Sequence, residues 1–216
     1  MNQYLNKQKK FWNKEIKNFD AIYSHSKSWL NNWLDATFRW DMYARFEYTM
    51  KNAKPIQGRN FLDVGCGAGH YSLEFGRQGA KKVIGIDISE KMLDICQQRA
   101  SELRLNDRCQ FLQTDLLEYQ PDTKFDVCIG IGLFDYIPEP LPVLTKMGEV
   151  VQDRIIISVP RSRTWRALVR KVRLTLKGCD VFFYTKEQID RLLKQAGFKR
   201  YTIEEIGQLY CITAFV

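Results

Sequence analysis

From about residue 60 onward, short apolar, β-rich runs alternate with stretches whose apolar positions recur every three or four residues. Residues 61–64 (FLDV) predict a strand, and a helix over about 69–77 follows, ending near Gly79. Residues 82–87 (KVIGID) form the next predicted strand. Ser89 is then placed to cap a helix whose Met92, Cys96 and Leu103 fall on one face. Three more strands are expected at 109–113, 125–131 and 154–159, with a helix at about 138–149. Thr185-Lys-Glu-Gln188 reads as a capping box. Behind it Ile189, Leu192, Leu193 and Ala196 keep helical spacing up to Gly197. Runs at 200–204 and 209–216 predict a closing antiparallel hairpin. Alternating β and α elements imply a mostly parallel sheet with helices on both faces, binding ligands at the carboxyl ends of its strands.

Residues 1–55 differ in kind. They read as two or three helices and hold 12 of the 28 aromatic side chains, among them Trp12, Trp29, Trp33 and Trp40. The expected organisation is therefore an aromatic-rich helical cap over 1–55, packed on the core or closing over an organic substrate, and an α/β core over 56–216. The two together are expected to form one compact unit. At 216 residues the chain is long enough for a full core.

Charge changes this picture only once it is located. The formal net charge is +8, which raises nucleic acid, anionic membrane or an acidic substrate as partners. Residues 161–177 (RSRTWRALVRKVRLTLK) hold seven basic side chains and no acid, and residues 1–20 carry a further excess of three. The rest of the chain is slightly acidic. The longest uncharged apolar run, 127–134, is eight residues, against about 20 needed to cross a bilayer. The N-terminus lacks a signal-peptide pattern. Six cysteines occur without a CxxC pair or clustered histidines, so reduced thiols in a cytoplasmic protein, with no metal site, are expected. No feature speaks to an oligomeric state.

The chemistry-bearing stretch is FLDVGCGAGH at 61–70. A strand runs into a glycine loop that opens a helix, where backbone N–H groups can meet a ligand closely. The spacing is G-x-G-x-G, with His70 where a dinucleotide fold would place its third glycine, which disfavours a nicotinamide dehydrogenase. Asp87 ends the next strand, where a carboxylate can accept from both ribose hydroxyls. Asp115, in Gln113-Thr114-Asp115-Leu116, ends the third and could accept from an exocyclic amine.

Four ordered motifs, LDVGCGAG at 62–69, VIGIDIS at 83–89, FLQTDLL at 111–117 and FDVCIGIGLFDYI at 125–137, resemble class I S-adenosylmethionine-dependent methyltransferases over about residues 40–216. The resemblance implies a Rossmann-like sheet of seven strands with one antiparallel strand, and S-adenosyl-L-methionine as cofactor, with S-adenosyl-L-homocysteine as product. It implies that Gly65, Cys66, Gly67 and Gly69 cradle the methionine part, with Asp63 supporting the loop. Asp87 would hold the ribose, Ile88 or Met92 would flank the adenine, and Thr114, Asp115 and Leu116 would meet the adenine amine and ring face. Gly130 and Ile131 would line the reacting centre, and Arg39 or Arg45 would meet the cofactor carboxylate. Within the class, LFDYI, SVPRSR, the basic segment, Tyr184-Thr185 and AGF are similar to small-molecule enzymes, in particular magnesium-protoporphyrin O-methyltransferases. The Asn/Asp-Pro-Pro-aromatic signature of nucleic-acid base methyltransferases is absent after the fourth strand, so a nucleic-acid partner is not expected.

In such a reaction the cofactor carries the electrophile, and the protein supplies alignment and exclusion of water. Candidates for acid–base work are Asp135, Tyr136 and His70. His70 can equally cap its helix or contact cofactor, Asp135 can structure its loop, and Tyr136 can simply pack. Arg161, Arg166 and Arg170 are the candidate substrate residues. Residues 166, 170, 173 and 177 form one cationic face, and Trp165, Leu168, Val169, Val172 and Leu176 supply an apolar one. That amphipathic pattern suits a solvated helix, an anionic small molecule or carrier, a membrane surface or nucleic acid. The expected activity is methyl transfer to oxygen or nitrogen of a small aromatic or anionic acceptor. An RNA or protein methyltransferase docking through 161–177, or a non-catalytic cofactor-binding regulator, is the alternative.

Overall fold

Strands β1 (Asn60–Val64), β2 (Lys82–Asp87), β3 (Cys109–Gln113), β4 (Phe125–Ile131), β5 (Val151–Pro160), β6 (Arg200–Ile206) and β7 (Leu209–Phe215) form one sheet. Their order is β3-β2-β1-β4-β5-β7-β6. The computed structural model describes Gln8, Lys9, Phe11, Asn13, residues 32–162 and residues 180–216, with backbone alone for 32–39. Strands β1 to β5 pair in parallel, and β7 runs antiparallel to both β5 and β6. This is the expected Rossmann-like, mostly parallel sheet with a terminal hairpin. The chain order reverses between β1 and β4, so a crevice opens at their carboxyl ends.

Side-chain alternation divides the core between the two faces. Leu62, Ile155 and Ile157 join Phe134, Met147 and Leu193 in one cluster. Phe61 and Ile156 join Phe75, Val83, Cys96 and Val127 in the other. The helices are α1 (Asn32–Asn52), α2 (His70–Arg77), α3 (Glu90–Glu102), α4 (Pro140–Val150) and α5 (Lys186–Gln195), with a 3₁₀ turn at Phe134–Tyr136. Ser89 caps α3 through Met92 N–H. Thr185 and Gln188 form the expected capping box on α5.

Three local expectations are corrected. Leu103 lies just past α3 as its C-cap and is exposed, so the buried stripe of that helix is Met92, Leu93, Cys96 and Ala100. β5 begins at Val151 rather than 154, because Phe125 of β4 already pairs with Val151. β6 runs on to Ile206, where it pairs with Leu209.

Helix α1 descends across the far half of the sheet from its carboxyl to its amino end. A Cβ on Gly207, in the β6–β7 turn, would run into the Asp41 carboxylate. Tyr48 Oη and Thr213 Oγ1 are 2.9 Å apart, and Arg154 Nη1 donates to Asn52 O at 2.9 Å.

Candidate functional site

The glycine loop between β1 and α2 is tied down on every side. Gly65 and Cys66 N–H both donate to Ile86 O, at 2.8 and 3.1 Å, which continues the β1–β2 ladder into the turn. Gly65, Gly67 and Gly69 take φ of +68°, +52° and +78°, the left-handed region in which a side chain is strained. The loop's carbonyls face α3. Cys96 Sγ–H donates to Gly67 O at 3.0 Å and Arg99 Nη1 to Ala68 O at 3.1 Å.

Asp87, at the end of β2, accepts from Gly67 N–H at 3.0 Å through Oδ2 and from Ser89 N–H at 2.8 Å through Oδ1. A carboxylate has about four acceptor sites, so acceptor capacity remains for hydroxyl donors. Burial pushes its pKa up, against the pull of the Ser89, Gly67 and Ile88 N–H groups. Asp63 lies beneath the loop, 2 % exposed, and accepts from Ser72 Oγ at 2.6 Å. Burial pushes its pKa up to about 7, opposed by Ser72 and aided by the nearby Asp87 charge. Asp63 is thus a support under the loop. The Cys66 thiol is held well above its ordinary range, first by the Cys96 thiol and then by burial.

Thr114 N–H reaches Asp87 O at 3.2 Å, joining the ends of β2 and β3. Asp115 Oδ1 accepts from Leu117 N–H at 2.8 Å and shapes its own turn. Leu116 is buried in the core. Ile88 is half-buried at the strand exit, and Gln113 Nε2 donates to its carbonyl at 3.1 Å. Met92, expected beside the adenine, has its side chain 2 % exposed in the α3 core stripe.

Across the crevice, β4 ends with Gly130, Ile131 and Gly132. Gly132 N–H donates to Ser158 Oγ at 3.0 Å, and Leu133 Cδ1 stands 2.9 Å from where a Cβ on Gly65 would be. Two separate strand exits therefore wall one gap. Arg45 of α1 enters from above, its Nη1 3.2 Å from a Cβ position on Gly132. The side chain of Arg39 lies outside the described residues.

Asp135 is 4 % exposed in the 3₁₀ turn, and its carbonyl accepts from Phe182 N–H at 2.8 Å. Tyr184 Oη–H donates to Phe134 O at 3.1 Å, locking the same turn, and Tyr136 is half-buried within it. His70 opens α2 behind Gly69 and is half-buried. Arg161 is committed elsewhere: it pairs with Glu205 at 2.8 Å, donates to Gly207 O at 3.0 Å and stacks 5.3 Å over the Tyr210 ring. Arg166 and Arg170 lie outside the described residues.

Sequence spacing did not reveal Ser72, Cys96, Arg99 or Ser158, all of which hold this site. Each acts from an element that only packing brings to the loop.

The geometry fits an adenosyl cofactor: carboxylates close two adjacent strand ends, a left-handed glycine cradle lies beside them, and a guanidinium stands at the opposite wall. The chain is similar to tRNA U34 carboxymethyltransferase of Haemophilus influenzae, 31% identical over 129 residues, covering 56% of this chain and 38% of that one. Its counterpart in Histophilus somni is 32% identical over 133 residues, covering 57% and 40%. The chain thus spans about two fifths of the length of these curated relatives. In fold it is similar to magnesium protoporphyrin IX methyltransferase of Synechocystis PCC 6803, solved with bound SAH, at TM-score 0.78 and 20% identity over 98% of this chain and 99% of that one. A S-adenosylmethionine-dependent methyltransferase of Mesorhizobium loti matches at TM-score 0.66 and 18% identity, over 80% and 98%. A family model described as a methyltransferase domain matches residues 56–197, and the chain, folded as class I S-adenosylmethionine-dependent methyltransferases are, belongs to that family.

Proposed function

We propose that this protein transfers a methyl group from S-adenosylmethionine to an oxygen or nitrogen of a small aromatic or anionic acceptor. The observation that carries the cofactor assignment is the convergence of Asp87 and the Gly65–Gly69 loop, joined by the Gly67 N–H bond. When bound, the cofactor supplies an electrophilic sulfonium methyl group. Asp87 would accept from the ribose hydroxyls, and Asp115 would take the adenine amine through its remaining acceptor sites. Arg45 would face the carboxylate. Gly130, Ile131 and Leu133 exclude water from the reacting side, which strengthens the electrostatics there.

Asp135 and Tyr136 are the candidate acceptor-side groups, with His70 at the loop. The 3₁₀ turn that carries the first two is held by Tyr184 and Phe182, so it orients an acceptor more readily than it moves. Residues 1–55 act as a lid in this reading. Ser89 Oγ–H donating to Asn13 Oδ1 at 2.6 Å, two residues from Asp87, supports it from one side, and Arg45 does so from the other. The free, buried Cys66, Cys96, Cys109, Cys128 and Cys211 support a reducing, cytoplasmic setting.

The relatives named for tRNA favour a second reading, an RNA acceptor. Incubation of methyl-labelled cofactor with fractionated cell extract separates the two. Label in the small-molecule fraction is expected, and label confined to RNA would replace the first reading with the second. For the cofactor site, calorimetry should show Asp87→Ala losing affinity for S-adenosylhomocysteine by about 10²-fold. Affinity equal to the parent's would remove Asp87 from the site.

A further inference from the structure

Ala68, in the middle of the glycine loop, is 1% exposed and carries an unanswered donor. The amides around it are engaged. Gly65 and Cys66 N–H reach Ile86 O, Gly67 N–H reaches Asp87 Oδ2, and Gly69 N–H reaches Cys66 O at 2.9 Å. Ala68 N–H meets no acceptor among the described residues. A buried backbone N–H is rarely left so, because it has given up water without a replacement.

Helix α3 accounts for where that N–H points. Cys96 Sγ–H donates to Gly67 O at 3.0 Å, and Arg99 Nη1 donates to Ala68 O at 3.1 Å. Three residues apart, the two side chains leave one face of the helix. The peptide between Gly67 and Ala68 is trans, so its C=O and N–H lie on opposite sides of one plane. Holding Gly67 O against Cys96 therefore turns Ala68 N–H away from α3. That helix packs over β2 and β3, whereas β4 lies on the other side of β1. The donor is thus aimed to the side on which the crevice opens. Cys96 is fully buried, and a Cβ on Gly69 would come 3.0 Å from its Sγ, so the thiol also closes the back of the loop.

We propose that Cys96 and Arg99 are positioning residues that hold the Gly67 and Ala68 carbonyls and so aim Ala68 N–H at the amino-acid carboxylate of S-adenosylmethionine. The role rests on the cofactor assignment and deepens it. At that end of the cofactor the ammonium only donates and the carboxylate only accepts, so an N–H selects the carboxylate. Neither side chain would touch the cofactor. A merely structural tie would loosen the whole loop and weaken every part of the ligand, whereas a positioning role acts on one end of it.

Calorimetry with two nucleosides separates these roles. S-adenosylhomocysteine has the amino-acid end; methylthioadenosine keeps the adenosine and the sulfur but lacks it. Cys96→Ala/Arg99→Met removes both donors and should weaken S-adenosylhomocysteine about tenfold while methylthioadenosine stays at the parent's affinity. Cys96→Ser/Arg99→Lys keeps a donor at each position and should recover most of the loss. If circular dichroism shows the first variant unfolded, Arg99→Met alone, at a half-buried position, gives the same comparison with a loss of about threefold. The proposal is overturned if S-adenosylhomocysteine affinity stays parental, or if both nucleosides weaken together. It is also overturned if the parent binds the two nucleosides equally. A parent that binds neither would instead strike the cofactor assignment, and the proposal would fall with it.

Discussion

Asp63 shows how one buried side chain couples the loop to pH. Its folded pKa of about 7 lies above the ordinary value of 3.8. The folded protein therefore keeps a proton that the unfolded chain releases. The contribution to stability is complete below about pH 4 and is lost as pH climbs through about 7. Asp87, also raised by burial, acts with the same sign. Asp63→Asn keeps an acceptor for Ser72 but cannot ionise. Its melting temperature should therefore fall less than the parent's between pH 4.5 and 7.5, in melts followed by circular dichroism. An unchanged slope would place the ionised carboxylate in solvent. Gly65→Ala tests the cradle at the same scale. Leu133 Cδ1 is a flexible neighbour that can move aside, but φ of +68° remains. A cost of about 1–2 kcal/mol is expected in urea unfolding.

At the scale of elements, two attachments can be separated. Thr185 caps α5 at an exposed end, accepting from Gln188 N–H at 3.3 Å while Gln188 Oε1 accepts from Thr185 N–H at 2.8 Å. Thr185→Ala should cost about 1 kcal/mol and leave cofactor binding unchanged. Helix α1 instead docks through Asp41 on Gly207 and Tyr48 on Thr213. Gly207→Ala forces Asp41 out of a buried position, so about 1–3 kcal/mol should be lost. Because Arg45 rides on the same helix, S-adenosylhomocysteine affinity should fall with it. Hydrogen exchange over 40–52 should rise in that variant and stay unchanged in Thr185→Ala. The cap of α5 was legible because a capping box is four residues of local geometry. The docking of α1 was not, because no spacing within 32–52 points to a hairpin more than 150 residues away.

For the whole molecule, the crevice is a consequence of strand order. β1, β2 and β3 grow one way and β4 and β5 the other, which leaves two strand exits facing one gap. A ligand bridging both exits stabilises the folded state by mass action. At 100 times its dissociation constant, S-adenosylhomocysteine should add about 2.7 kcal/mol, seen as a melting temperature higher by about 5–10 °C. NAD at equal concentration should add nothing, because His70 stands where the dinucleotide loop needs a glycine. Equal shifts with both would mean that the glycine spacing does not discriminate.

The strands, the glycine loop and the carboxylates at 63, 87 and 115 were determined by sequence alone. A strand running into a left-handed turn and then a helix is a local event, set by apolar runs and by glycines within a few residues. Even there, tertiary structure left Leu103 past the end of its helix and in solvent, because helix ends are fixed by what packs on them. Only the packed fold placed Arg45 over Gly132, hid Ser158 behind it, spent Arg161 on Glu205 and left Trp40 and Tyr43 bare. Arg45, Trp40 and Tyr43 owe their places to α1 crossing the β5–β7 half of the sheet, and Ser158 and Arg161 owe theirs to β5 lying between β4 and the closing hairpin. Contacts so distant along the chain are decided by the shape of the assembled core.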